Sequence, residues 1–279
     1  MKWLFHVTSW EKVSLWRRIP CAFGRVALLI SFVSLLIHAL GPPITIFCMA
    51  RCEARKLPWV KVTPRALADY SVSGAPGTTL SYFGYEFDVP WNARFTEKTS
   101  EKGARVLIKF DTGQAVMFIV PADQAGLLTE IVQDKSLGMQ NLRSVLGDLL
   151  NRSPYDQQAA LLNTTPSSIR AFGPRADAAR GMILLTIKGL AASPGVQTGV
   201  FSFTLPDKRG FQVGDPRKSR RVEFEVFGMG GHHVEIICAT TKNGIMLSQP
   251  ELNRILRSLH SVPAQSSATP QVHTVSSQN

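Results

Sequence analysis

The sequence predicts one α+β domain with a mostly antiparallel sheet and packed helices, preceded by an N-terminal transmembrane helix. Strand-like runs fall into two blocks, and amphipathic stretches lie between those blocks and after the second one, which is the element order of an α+β domain. The transmembrane helix is predicted because residues 26–50 contain no Lys, Arg, Asp or Glu. The predicted parts are a basic, Trp-containing tail (1–25), the apolar segment (26–50), a linker (51–79), the α+β domain (80–261) and a disordered tail (262–279).

The first block of strands begins with two stretches that alternate apolar and polar residues, 80–82 and 85–89. Two further runs, 106–110 and 115–120, are joined by the tripeptide Asp-Thr-Gly at 111–113. This loop has the length and chemistry of a β-hairpin turn, so we expect an antiparallel hairpin at this position.

The middle of the chain carries helix signals. Residues 127–131 and 142–150 each place their Leu, Ile and Val residues on one face. Ser153 is followed by proline, which is typical of a helix N-cap with proline at the first helical position, and Thr165 repeats this pattern.

The second block of strands is rich in β-branched and aromatic residues, and turns that contain Gly or Pro separate its members. The four predicted strands are 182–187, 200–205, 222–227 and 234–239. A last helix is predicted to begin after Ser248, which forms a capping-box pattern with Glu251.

Two stretches of the domain carry a family resemblance. The sequence YFGYEFDVPW at 82–91, an aromatic-rich strand that leads into Pro90 and Trp91, resembles the opening strand of Mog1/PsbP-like domains. The closing stretch 252–259 (LNRILRSL) is similar to the end of the same family, so the resemblance extends over about residues 80–261. It implies an α/β/α sandwich and a non-enzymatic binding or assembly factor, and it transfers no catalytic residue.

The apolar segment is long enough to cross a membrane. Its 25 residues form a helix about 37 Å long, against roughly 30 Å for a hydrocarbon core. Basic residues and tryptophans flank it, as expected of interfacial anchors. We therefore expect a single-pass membrane protein with the lipid bilayer as a partner, and the short preceding tail favours a domain outside the cytoplasm, in a bacterial envelope. The residues predicted to span the membrane are Val26, Leu28, Leu29, Ile30, Phe32, Leu35, Leu36, Leu40, Ile44 and Phe47.

A Gly-Pro-Pro interruption at 41–43 leaves two alternatives open beside a retained anchor. Residues 26–40 alone have the length of the apolar region of a signal peptide, and Cys48 and Ala50 are small residues of the kind that signal peptidase requires near its cut. A cleaved signal peptide is therefore one alternative. The other is a start codon assigned upstream of the true start, near Met49.

The net charge of +11 is concentrated around the apolar segment. Residues 1–68 carry +8 and the remaining residues carry +3. A nucleic-acid-binding domain would carry its basic excess on the folded part, so we expect no nucleic-acid partner. The basic flanks suit contact with anionic lipid headgroups instead.

The domain sequence carries no nucleophile elbow, no phosphate-binding glycine loop and no zinc-protease motif. His232, His233 and Glu235 form the one cluster that suggests a metal. Neighbouring residues of a strand face opposite sides, so only His233 and Glu235 share a face, which is too few ligands. We therefore expect neither a metal nor a cofactor. A basic cluster offers another kind of site, because a phosphate or lipid headgroup could bind to Arg217, Lys218, Arg220 and Arg221.

These observations leave three hypotheses of function. The first is a membrane-anchored, non-catalytic binding or interaction domain whose partner is a protein or a small ligand. The second is an envelope hydrolase with a scattered site in which His233, Glu235 and Asp215 act. The third is a lipid-surface sensor that uses the basic cluster at 217–221.

Overall fold

A computed structural model describes residues 43–73, 77–93, 95–99, 104–121, 124–134, 142–170, 174–190, 197–229, 232–242 and 244–262. The α-helices described are α1 (Pro43–Lys56), α2 (Leu127–Gln133), α3 (Arg143–Leu146), α4 (Pro154–Asn163), α5 (Arg175–Leu190) and α6 (Gln249–Ser258). The strands described are β1 (Arg65–Ala66), β2 (Thr78–Tyr82), β3 (Tyr85–Val89), β4 (Phe95–Thr99), β5 (Ala104–Phe110), β6 (Gln114–Val120), β7 (Val200–Thr204), β8 (Arg209–Val213), β9 (Arg221–Met229), β10 (His232–Thr240) and β11 (His260–Ser261). Short 3-10 turns lie at Pro58–Lys61, Gly147–Asn151 and Pro166–Ser168.

The strands form two sheets. The large sheet has the order β1-β7-β8-β9-β10-β6-β5-β4, and the small sheet has the order β11-β3-β2. Every neighbouring pair is antiparallel except β1 and β7, which are parallel. The prediction of an α+β domain with a mostly antiparallel sheet is therefore confirmed, and so is the predicted hairpin, formed by β5 and β6.

One face of the large sheet, which we call the closed face, is covered by the β2–β3 hairpin and by α6. Its side chains Val106, Phe118 and Ile236 are fully buried, because every second residue of a strand points to the same side. Phe87 of β3 packs on Phe118 with ring centroids 5.2 Å apart. The apolar stripe of α6 joins this core through Leu252, Ile255, Leu256 and Leu259.

The opposite face of the large sheet, which we call the second face, receives the helices at β8 and β9. Tyr155 of α4 stacks on Phe211 with centroids 5.2 Å apart and planes 10° from parallel. Leu162 of α4 packs in the same cluster as Phe211 and Phe227. Among the described residues, four further helices join α4 on this side of the sheet. α5 contacts α1 in one apolar cluster and contacts α2, α3 and α4 in another.

Residues 182–187, predicted to be a strand, lie within α5, so that prediction was wrong. Met182 and Leu185 pack towards α1, whereas Leu184 and Ile187 pack towards α2, α3 and α4. A helix buried on two sides produces a continuous apolar run. Periodicity cannot distinguish such a run from a buried strand.

The predicted transmembrane helix is also wrong for the residues described. Within the described ranges, no helix combines the length and the apolar character needed to cross a bilayer. Ile44 and Phe47, two of the predicted membrane-spanning residues, belong to α1, whose 14 residues extend only about 21 Å. Ile46 and Ala50 of α1 pack against α5 instead of facing lipid. The predicted single-pass membrane location, and the domain orientation inferred from it, are therefore wrong for the described residues. The other predicted spanning residues, from 26 to 40, lie outside the described residues.

The stretch 51–79, predicted to be a linker, contributes to the packed domain. It contains the second half of α1, the turn Pro58–Lys61 and β1, and Val60 is buried in the cluster formed by α1 and α5. Lys188 of α5 fixes the stretch further, since it is buried and its Nζ donates to the carbonyl oxygen of Val62 at 2.7 Å. The predicted tails 1–25 and 262–279 lie outside the described residues except for Val262, whose amide donates to the carbonyl of Gly84.

Candidate functional site

Two residues that the sequence marked as candidates, His233 and Glu235, share the second face of β10, as strand alternation predicts. The imidazole of His233 stacks on Phe227, with centroids 4.8 Å apart and planes 11° from parallel. Its Nε2 lies 3.9 Å from Oε1 of Glu235. Burial lowers the pKa of His233 to about 4, so the ring is neutral at pH 7.

His232 does not join them. The pairing of β9 with β10 shifts register between His232 and His233, and His232 is exposed. In the part of the chain that the structure describes, no three His, Cys, Asp or Glu side chains are grouped so that they could hold a metal ion.

Asp215, the third residue of the hydrolase hypothesis, lies elsewhere. It follows β8 in the turn towards β9, and its carboxylate accepts hydrogen bonds from the backbone and the guanidinium of Arg217. Burial opposes the charged form, but these bonds outweigh it and hold the pKa of Asp215 below its usual value. Because Val213 pairs with Glu223 and His233 pairs with Phe227, at least about 13 Å of strand separates Asp215 from His233.

The predicted basic cluster is largely engaged within the fold. Arg220 donates to the carbonyl oxygens of Thr241 and Gly244 at 2.6 and 3.1 Å. Arg221 donates to Glu223 at 2.6 Å, Arg217 binds Asp215 as described, and Lys218 is exposed. A lipid- or phosphate-binding role for the four residues stays a prediction, and it would compete with these internal contacts.

Three glutamates, Glu223, Glu225 and Glu235, form a group on the second face that we call the acidic cluster. Glu225 and Glu235 are direct partners across β9 and β10, which places their Cβ atoms about 5 Å apart. Glu223 lies two residues before Glu225 and therefore on the same face. The helical layer meets the cluster through Gln158 of α4, which hydrogen-bonds to Glu225.

Two members of the acidic cluster, Glu225 and Glu235, hold their protons more tightly than free carboxyl groups do. Burial, followed by the charges of Glu235 and Glu223, raises the pKa of Glu225 to about 8. Burial, with contributions from Glu223 and from Glu130 of α2, also raises the pKa of Glu235. Glu225 is therefore mostly protonated at pH 7, and a cation placed beside it would favour release of that proton.

Beside the acidic cluster, the second face is only partly covered. Leu107, Met117 and Ile119, which we call the open strip, share this face through the pairing of β5, β6 and β10. They are partly buried and belong to none of the four apolar clusters formed by the described residues.

The open strip has a basic residue along one border and an acidic residue along the other. Ile119 pairs with Arg105 on one side and with Glu235 on the other. Since neighbouring strands lie about 4.8 Å apart, the Glu235 side chain lies directly beside Ile119, and Glu225 lies one strand further from the open strip. The arrangement can bind a molecule with an apolar body and a cationic end.

Glu223 and Glu225 are functional candidates that sequence reasoning missed. The stretch VEFEVF at 222–227 was predicted only as a strand, and its perfect alternation is also typical of a strand with one face in solvent. In the fold, α4 lies over that side. The burial of these glutamates depends on the packing of α4 against β8 and β9, a distant contact that the local sequence pattern does not contain.

Comparison of the chain with protein-family models, with curated proteins and with solved structures found no match.

Proposed function

We propose that this protein is a non-catalytic binding module for a small amphipathic organic cation. The open strip receives the apolar body of the ligand, and Glu235, which borders the strip, receives its ammonium group with Glu225 behind it. One observation carries the proposal, namely that Ile119 pairs with Glu235, that Glu235 pairs in turn with Glu225, and that the pKa values of both glutamates are raised.

The energetics favour a cation over a neutral or anionic ligand. The folded protein has already removed much of the water from the acidic cluster, so an ammonium ion gains attraction without a large new desolvation of the carboxyl groups. Covering the open strip adds about 25 cal/mol for each Å² of apolar surface removed from water. Because ionised Glu225 binds a cation better than the protonated form, affinity rises as the pH approaches about 8.

A non-catalytic role is supported by the dispersal of the residues proposed for hydrolysis. Asp215 lies beyond the opposite end of β9 from His233, so these groups cannot act on one bond. The resemblance of residues 82–91 to Mog1/PsbP-like domains, which implies a binding or assembly factor, agrees with this proposal.

The test uses three probes that share a phenyl ring and differ in charge: 2-phenylethylammonium, 2-phenylethanol and 3-phenylpropionate. Dissociation constants are measured from NMR shifts of the Met117 and Ile119 methyl groups at pH 6 and pH 8. We expect the cation to bind about tenfold more tightly than the alcohol, and the anion to bind most weakly. Glu235→Gln should remove most of that tenfold preference, which corresponds to about 1.4 kcal/mol.

Two further variants separate the apolar from the ionic contribution. Met117→Ser should weaken binding of the cation and of the alcohol alike, because it removes apolar contact from both. Ile245→Ser is the matched control, since Ile245 is an apolar side chain that is 76% exposed elsewhere. Equal binding of the anion and the cation, or no effect of Met117→Ser, would refute the proposal.

A further inference from the structure

Two cysteines lie one helical turn apart on α1. Cys48 and Cys52 are free and exposed. They lie on the side of the helix opposite Ile46 and Ala50, which pack against the domain. Their spacing of four residues places the two Cβ atoms about 5–6 Å apart on one side of the helix.

The two thiols can share a ligand more readily than they can form a disulfide. A disulfide needs Cβ atoms about 3.5–4.5 Å apart, which an intact helix does not allow at this spacing. A metal bound in line between two sulfurs, with bonds of about 2.3 Å, spans about 4.6 Å, which the side chains can reach. Among the described residues no third His, Cys, Asp or Glu completes a metal-binding group, so the four ligands that zinc prefers are not assembled.

We propose that Cys48 and Cys52 form a two-coordinate site for the soft cation Cu(I). Thiolates are the ligands that Cu(I) selects, and two of them satisfy it. Binding replaces two S–H bonds with two Cu–S bonds and releases two protons, so the bound unit carries one negative charge. The site is separate from the open strip and does not depend on the function proposed above.

The surroundings of the two thiols suit that negative charge. Arg51 and Arg55 are exposed on the same side of α1. Arg51 is held over the ring of Phe47, with its guanidinium carbon 4.7 Å from the ring centroid. Both guanidinium groups can therefore offset the negative charge of the bound copper unit by charge attraction.

The test measures the partition of Cu(I) between the reduced full-length chain and the chelator bathocuproine disulfonate, without oxygen. We expect one Cu(I) per chain, bound more tightly as the pH rises because two protons are released. Cys48→Ser and Cys52→Ser should each lower affinity by at least about 100-fold, and Arg51→Gln with Arg55→Gln should lower it several-fold.

A variant with displaced thiols is the matched control. Cys52→Ser combined with Arg55→Cys keeps two exposed thiols but separates them by two helical turns, about 10 Å, and should lose Cu(I). Circular dichroism checks that α1 persists in each variant. Unchanged affinity in this variant or in either serine variant would overturn the proposal. Loss of affinity in Cys21→Ser, which should have no effect, would overturn it as well.

Discussion

Replacing Glu225 by glutamine should remove the loss of stability that this carboxyl group causes between pH 4.5 and pH 8. Burial and the charges of Glu235 and Glu223 raise the pKa of Glu225 from 4.5 to about 8 in the folded protein. The folded chain therefore keeps a proton that the unfolded chain releases in this window. The contribution of Glu225 to the free energy of unfolding is therefore highest below pH 4.5 and is lost as the pH rises through 8.

The size of the effect follows from the shift in pKa. A difference of about 3.5 units at about 1.4 kcal/mol per unit corresponds to an upper limit of about 5 kcal/mol. Glutamine has the shape of the protonated carboxyl and carries no charge. The Glu225→Gln variant should therefore match the natural protein below pH 4.5 and exceed its stability by up to about 5 kcal/mol at pH 8.5.

The assay is urea unfolding at pH 4.5, 6.5 and 8.5, followed by circular dichroism. Glu86→Gln is the control, because Glu86 lies on β3 with its side chain 40% exposed and its replacement should leave the pH dependence of unfolding intact. If the natural protein and Glu225→Gln lose stability in parallel as the pH rises, Glu225 is ionised in the folded state at its ordinary pKa. That result would refute the raised pKa of Glu225.

Three other substitutions test local features by urea unfolding at pH 7. Lys188→Met should lower the free energy of unfolding by about 2–4 kcal/mol, because the buried ammonium donates to three backbone carbonyls that methionine leaves without a donor; no loss would show that the ammonium is dispensable. Ser248→Ala should cost about 1 kcal/mol, since Ser248 caps α6 in a reciprocal capping box, and a neutral result would contradict that role. Phe83→Asn should add about 1 kcal/mol, because Phe83 has φ +54° and asparagine tolerates that conformation better; a loss would mean that the exposed ring packs usefully.

Local signals predicted local structure well. The Asp-Thr-Gly turn predicted the β5–β6 hairpin, in which Gly113 has φ +89°. Ser153 caps α4, and Ser248 with Glu251 forms the predicted capping box at α6. In each case the residues that determine the structure lie within a few positions of one another, so the sequence alone contains the necessary information.

Features that depend on distant contacts were not predictable in the same way. β8 was not among the predicted strands, and it contains Gly210, where a Cβ would lie 2.0 Å from the carbonyl oxygen of Glu225 on β9. Glycine is therefore required at position 210 because the backbones of β8 and β9 approach each other closely there, and not because the chain turns. The apolar face of α1 was assigned to lipid for a related reason, since an apolar stretch does not show whether its environment is a bilayer or another helix.

The acidic cluster is best explained by the needs of a ligand, because folding alone disfavours it. Buried charged groups are often replaced by apolar residues at no loss of stability, and the raised pKa of Glu225 shows that ionisation is costly in the folded state. If Glu225 and Glu235 served the fold, replacing both by leucine would destabilise it. The binding proposal requires the opposite: a double-leucine variant at least as stable as the natural protein at pH 8.5 that no longer prefers 2-phenylethylammonium to 2-phenylethanol. Functional sites often contain residues that lower the stability of the fold. Measuring both the stability and the ligand preference of the double-leucine variant distinguishes such a binding role from a role in folding.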